Sequence, residues 1–135
     1  SFYFSSREAA KTMSQQKSGD ILMMGSISGH RARPERSLYC GTKAAVELLT
    51  QSLAMELGPM GIRVNCLAPG LVSSGRVKTK IQEEKDYADR RIKGIPLGRF
   101  GDPVNIAATA LFLVSPENEF MSGSIVSVDG ASMTG

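Results

Sequence analysis

Residues that build disulfides and metal sites are scarce in this chain, with two cysteines and one histidine in 135 residues. Cys40 falls at a helix start and Cys66 inside a strand pattern. Both read as small buried hydrophobes in a reducing compartment, the cytoplasm, and neither a disulfide nor a metal site is expected. His30 has no acidic or cysteine neighbour in sequence and reads as a solvated loop residue. No apolar run approaches the ~20 residues that would span a bilayer, so no membrane partner is expected. A basic stripe interleaved with aromatics is also missing. The net charge of +3 is scattered, apart from Arg31, Arg33 and Arg36 in one solvated loop, which argues against nucleic acid. There is no internal repeat, linker or low-complexity tract, and no secretory signal is visible.

What is present is an ordinary globular composition at the size of one domain, enough to bury about two-thirds of the unfolded surface. Phe2, Tyr3, Phe4, Ala9, Ala10 and Met13 recur at helical spacing, which predicts a core-forming helix from Ser1 to about Gln16. A turn at Lys17 to Asp20 then feeds a buried strand, Ile21 to Met24. Ala45, Val46, Leu49, Leu53 and Leu57 form the stripe of a long helix over 38–57. Gly58-Pro59-Met60-Gly61 stops it, and a second strand runs from Ile62 to Ala68. Strand, helix, strand implies a parallel pair joined by a crossover. The carboxyl ends of parallel strands share one side, so Ser26 and Pro69-Gly70 should meet at a single crevice, the usual ligand position in an open α/β sheet.

Residues 73–94 are charged, with only a thin apolar seam at Ile81, Tyr87 and Ile92. They predict one or two short helices lying over the crevice as a lid whose charges form a solvated face. Asp102-Pro103 is a helix-start signal. Val104, Ala107, Ala108, Leu111, Phe112 and Val114 predict a buried helix after it, and Ile125 to Val128 a last strand.

The residues suited to chemistry are Ser26, at the end of the first strand, and Tyr39 and Lys43, four apart on one helix face. A tyrosine ionises near pH 10 in water, too high for a good base at neutral pH, and an adjacent cation favours the phenolate. A serine hydroxyl beside the pair could hold a substrate oxygen. With three tyrosines in the chain, a Tyr-x-x-x-Lys pair alone is a weak motif. Its neighbours make it specific. Gly25-Ser26-Ile27-Ser28-Gly29 and Tyr39-Cys40-Gly41-Thr42-Lys43-Ala44-Ala45-Val46 resemble the short-chain dehydrogenase/reductase family in motif and spacing. The resemblance continues through Gly61 to Asn65, Pro69-Gly70, Pro96 to Gly101, Leu111 to Leu113 and Val128-Asp129-Gly130.

That resemblance implies an α/β fold, a partial doubly wound (Rossmann-type) parallel sheet of three strands with helices on both faces. It implies a single partial domain over 1–135, the C-terminal half of a subunit. The chain opens without methionine in what reads as mid-helix, and the family's glycine-rich phosphate loop is not among its residues. The implied activity is hydride transfer between NAD or NADP and a small-molecule carbonyl/alcohol pair. Tyr39 would be the acid/base, Lys43 would favour its phenolate and hold the ribose hydroxyls, and Ser26 would orient the substrate oxygen. Pro69, Gly70, Val72 and Ser74 would contact the nicotinamide end, with Ser74 standing where the family more often has threonine. The helices over 1–16 and 38–57 would build a homodimer or homotetramer of the intact protein. Two alternatives stay open: a non-catalytic binding or assembly module, and a narrower role as a 3-oxoacyl reductase or sugar-alcohol dehydrogenase.

Overall fold

The apolar run that ends at Met24 forms strand β1, Gly19–Met24, two residues longer at its start than the apolar pattern predicts. A computed structural model describes residues 2–134, so the expectation for Ser1 lies outside the described residues. Before β1 comes helix α1, Phe2–Gln16, and after it a 3₁₀ turn at Ile27–Gly29. Helix α2 is Ser37–Leu57 and strand β2 is Ile62–Pro69. Two short helices follow, α3 at Gly75–Glu83 and α4 at Tyr87–Ile92, then α5 at Pro103–Leu113 and strand β3 at Ile125–Val128.

The three strands are parallel and ordered β1-β2-β3, and the β1–β2 pair is the one that the crossover argument requires to be parallel. Met24 pairs with Leu67, and Pro69 with Val128, so all three strands end on one side. The central strand β2 is buried throughout its middle. Ile62, Val64 and Cys66 pack with Met23 of β1, Ala10 of α1, and Val46, Leu53 and Leu57 of α2. The alternate residues of β2 point the other way. There the Arg63 guanidinium donates to the carbonyls of Leu113 and Ser115 and pairs with Asp20 at 2.6 Å. Asn65 donates to the Met121 carbonyl at 2.7 Å and accepts from the Ser124 amide at 3.1 Å. These polar side chains in a central strand are tolerated because each is hydrogen-bonded.

The turn into β2 needs glycine. Gly61 has φ +75, and a Cβ there would collide with the Lys17 carbonyl oxygen. The start of α5 follows the Asp102-Pro103 signal. The Asp102 carboxylate accepts from the Val104 amide and the Asn105 side chain accepts from the Asp102 amide, both at 2.9 Å.

Two core expectations are corrected. Helix α5 was expected to be buried, yet Leu113 is its one buried residue, and Leu111 and Phe112 are 71% and 57% exposed. A helix apolar on every side can bury only one face against a single sheet. Phe2, Tyr3 and Phe4 of α1 are likewise exposed, and Ala10 and Met13 carry that helix's apolar contact with the core.

Candidate active site

Ser26 is the second residue after β1, which ends at Met24. The Gly25 amide donates to the Leu67 carbonyl at 2.8 Å, so the chain stays paired to β2 until it turns. Ser26 is extended and caps the 3₁₀ turn, its Oγ accepting the Ser28 amide at 3.2 Å. A hydroxyl that accepts on a lone pair keeps its own proton free to donate.

Helix α2 begins across from this turn. Tyr39 lies in its first turn, 44% exposed, and Lys43 one turn on. The Lys43 Nζ donates to the Met24 carbonyl at 2.8 Å and lies 5.8 Å from the Tyr39 ring centroid. Lys43 therefore ties the start of α2 to the end of β1, two residues before Ser26. Tyr39 and Lys43 come together, and Lys43 meets the strand end that carries Ser26. The Ser26 hydroxyl itself bonds the Ser28 amide, and among the described residues it bonds neither Tyr39 nor Lys43.

Pro69, Gly70, Val72 and Ser74 all line one cleft of about 500 Å³. Met24 joins them, with Val77 of α3 and Pro103, Ile106, Ala107 and Ala110 of α5 opposite. Met24 thus connects the two halves of the site, since its carbonyl holds Lys43. Gly70 is required by close approach: a Cβ there would fall 2.7 Å from the Asp129 Cα. The loop beyond is pinned, with the Ser73 amide donating to the Gly101 carbonyl at 2.8 Å and the Gly101 amide to the Leu71 carbonyl at 2.9 Å. A hollow of about 520 Å³ at the opposite end of the strands, beside Asp20 and Arg63, has no acid/base group near a free strand carboxyl end.

Glu47 was missed. It lies one turn beyond Lys43 on α2, is buried, and packs directly beneath Gly29. The signal in the sequence is an acid four residues after the lysine, on the same helix face. Burial pushes the Glu47 carboxyl above its ordinary value, while His30, Lys43 and the Ser26 amide pull it down by less. The same burial, reinforced by Glu47, raises the Cys66 thiol. His30 is an exposed loop residue, as expected, and the fold adds a contact that no local pattern shows: its Nδ1 lies 3.3 Å from Oε1 of Glu47, 17 positions away.

Because the folded Glu47 carboxyl is raised, holding it neutral adds stability below the unfolded carboxyl value of about 4.5, and that contribution is lost as pH rises through the folded value. Glu47→Gln should remove this component. In urea unfolding at pH 4.5 and pH 7, the variant should gain stability relative to the native protein at the higher pH only. An equal effect at both values would show that burial does not govern this carboxyl.

Comparison with known proteins gives a consistent picture. The family model described as enoyl-(acyl carrier protein) reductase matches residues 1–131. A cyclohexanol dehydrogenase from Rhodococcus sp. is 40% identical over 123 residues, covering 90% of this chain and 45% of that protein. A 3-oxoacyl-[acyl-carrier-protein] reductase from Chlamydia muridarum is 38% identical over 120 residues, covering 89% of this chain and 47% of that protein. The solved structure of ElxO with NADP bound superposes with a TM-score of 0.94 at 30% identity, over 99% of this chain and 54% of that one. The chain spans about half the length of the curated relatives it matches. Motif order, parallel topology and a match running from residue 1 to residue 131 agree, and the chain belongs to the short-chain dehydrogenase/reductase family.

Proposed function

We propose that the chain supplies the catalytic half of an NAD- or NADP-dependent oxidoreductase that interconverts a carbonyl and a secondary alcohol. The observation that carries this reading is Lys43, which lies beside the Tyr39 ring and binds the Met24 carbonyl at the lip of the Pro69–Ser74 cleft.

The cleft suits a nicotinamide ring. Its lining is mostly apolar, with Ser74 adding a hydroxyl, and Gly70 leaves the backbone close by. The bound nucleotide supplies the hydride. Lys43 spends one of its three donors on Met24 and has two for ribose hydroxyls. Tyr39 gives its proton to the carbonyl oxygen during reduction and takes it back during oxidation. The Lys43 ammonium steadies the negative charge left on the ring oxygen. Ser26, its lone pair held by the Ser28 amide, donates its own proton in a hydrogen bond to the same substrate oxygen.

In this reading residues 1–135 act as one partial domain within a subunit about twice as long, working in the cytoplasm. The exposed Phe2, Tyr3 and Phe4 of α1, with Leu48 and Met55 of α2, supply apolar surface for a homodimer or homotetramer. The relatives span cyclohexanol and 3-oxoacyl chemistry, and the substrate here is a ketone or secondary alcohol of small size.

The test is fluorescence titration of the intact protein with NADH and NADPH, followed by nucleotide oxidation against a panel of ketones. Saturable binding of at least one nucleotide with oxidation by some ketone is expected. Failure of both nucleotides to bind would leave a non-catalytic binding module as the reading.

A further inference from the structure

The lid charges do not all face solvent. Between the loop after Ser26 and helix α4 lies a cavity of about 290 Å³ lined by four arginines, Arg31, Arg33, Arg90 and Arg91, together with Ile27 and Leu71. The arginines come from segments more than 50 residues apart in sequence. Among the described residues none of the four is in an ion pair, and no acidic side chain lines the cavity. The Nε atoms of Arg33 and Arg91 are buried without a hydrogen-bond partner. Arg31 donates through Nη1 to the Ser132 carbonyl at 3.2 Å. Burial first, then the charges of Arg91, Arg31 and Arg36, pull the Arg33 guanidinium below its ordinary value. The unpartnered carboxylate oxygen of Asp129 belongs to a separate hollow beside Arg99.

Crowding like charges in a half-buried cavity costs stability, and a local conflict of this kind marks a functional site. Guanidinium forks match the planar geometry of oxyanions. We infer that this cavity is an anion-recognising subsite that holds a carboxylate, phosphate or sulfonate group of the substrate beside Ser26. The inference rests on the oxidoreductase reading for the word substrate. Ile27 follows Ser26 directly. Leu71 stands between Gly70 and Val72, which line the other cleft, and the two cavities share no residue. The anion therefore sits across the 69–74 loop from the nicotinamide position, which assigns it to the substrate and not to the phosphates of the nucleotide. A neighbouring hollow of about 300 Å³ shares Arg31 and Ser132 and adds Lys93, extending the basic lining toward longer acids.

The test uses the intact protein in two arms. In the first, kcat/KM is measured for 4-oxopentanoate and 5-oxohexanoate against their methyl esters. The native protein should prefer the acids by about tenfold or more. Arg33→Met combined with Arg91→Met should bring the acid-to-ester ratio to about one, through KM. A ratio unchanged in the double variant, or a native preference for the esters, overturns the subsite. In the second arm, calorimetry with glutarate and with inorganic phosphate reads binding without catalysis. Saturable binding of either anion that is lost in the double variant supports the subsite, and the stronger of the two names its chemistry. Absence of binding of both to the native protein overturns it. If no ketone is turned over, the oxidoreductase reading fails while this arm still decides the subsite. Arg33→Met alone guards against misfolding: removing a crowded cation should leave the melting temperature equal or higher while weakening anion binding.

Discussion

Tyr39→Phe should lower ketone reduction by about 10²–10⁴-fold or more, while the nucleotide still binds. The substitution deletes one oxygen and keeps the ring beside which Lys43 lies at 5.8 Å. It leaves the Lys43 bond to the Met24 carbonyl and the whole Pro69–Ser74 cleft in place. In the proposed mechanism, what disappears is the proton delivered to the carbonyl oxygen, so the loss should fall on kcat. Tyr39 is 44% exposed and contributes little to the core, which separates the effect from unfolding. Steady-state turnover paired with fluorescence titration checks both halves. Turnover near the native value would remove Tyr39 from the mechanism.

Leu67→Ala should cost about 2–5 kcal/mol of folding stability, read as a shift of the urea midpoint with an unchanged slope. Leu67 is fully buried on the central strand, paired with Met24 on one side and Val126 on the other. Its carbonyl also receives the Gly25 amide, so the cavity would open under the strand ends that carry Ser26 and Pro69. Phe120→Ala offers the contrast, because that ring is fully exposed and its loss should change stability by no more than about 0.5 kcal/mol. A Leu67→Ala cost below about 1 kcal/mol would mean that β2 is not the spine of this fold.

Local periodicity was enough to locate most elements. Of the predicted α2 stripe, Val46, Leu49, Leu53 and Leu57 face the sheet while Ala45 is exposed, and the Asp102-Pro103 signal does open α5 with a reciprocal cap. Parallel topology puts Ser26 and Pro69-Gly70 at the same end of the sheet, as the register shows, but the cleft that Pro69 and Gly70 line does not include Ser26. Periodicity could not say which side of an all-apolar helix finds a cover, so Leu111 and Phe112 were expected inside and lie outside. Nor could it see contacts made by the fold over long separations. Arg90 and Arg91 read as part of a solvated charge run because their companions Arg31 and Arg33 stand in another segment. Glu47 was passed over for the same reason: its partners, His30 and the Ser26 turn, reach it only once β1 and α2 pack together.

The proposed convergence of Ser26 and Tyr39 on one reacting oxygen is tested most directly by a double-mutant cycle on kcat. Turnover of one ketone would be measured for Ser26→Ala, Tyr39→Phe and the two combined. If both hydroxyls serve the same oxygen, the combined variant should fall within about tenfold of the worse single variant, since groups acting as a unit are strongly non-additive. Single losses that simply multiply in the double variant would show that the two residues act independently and contradict a shared site.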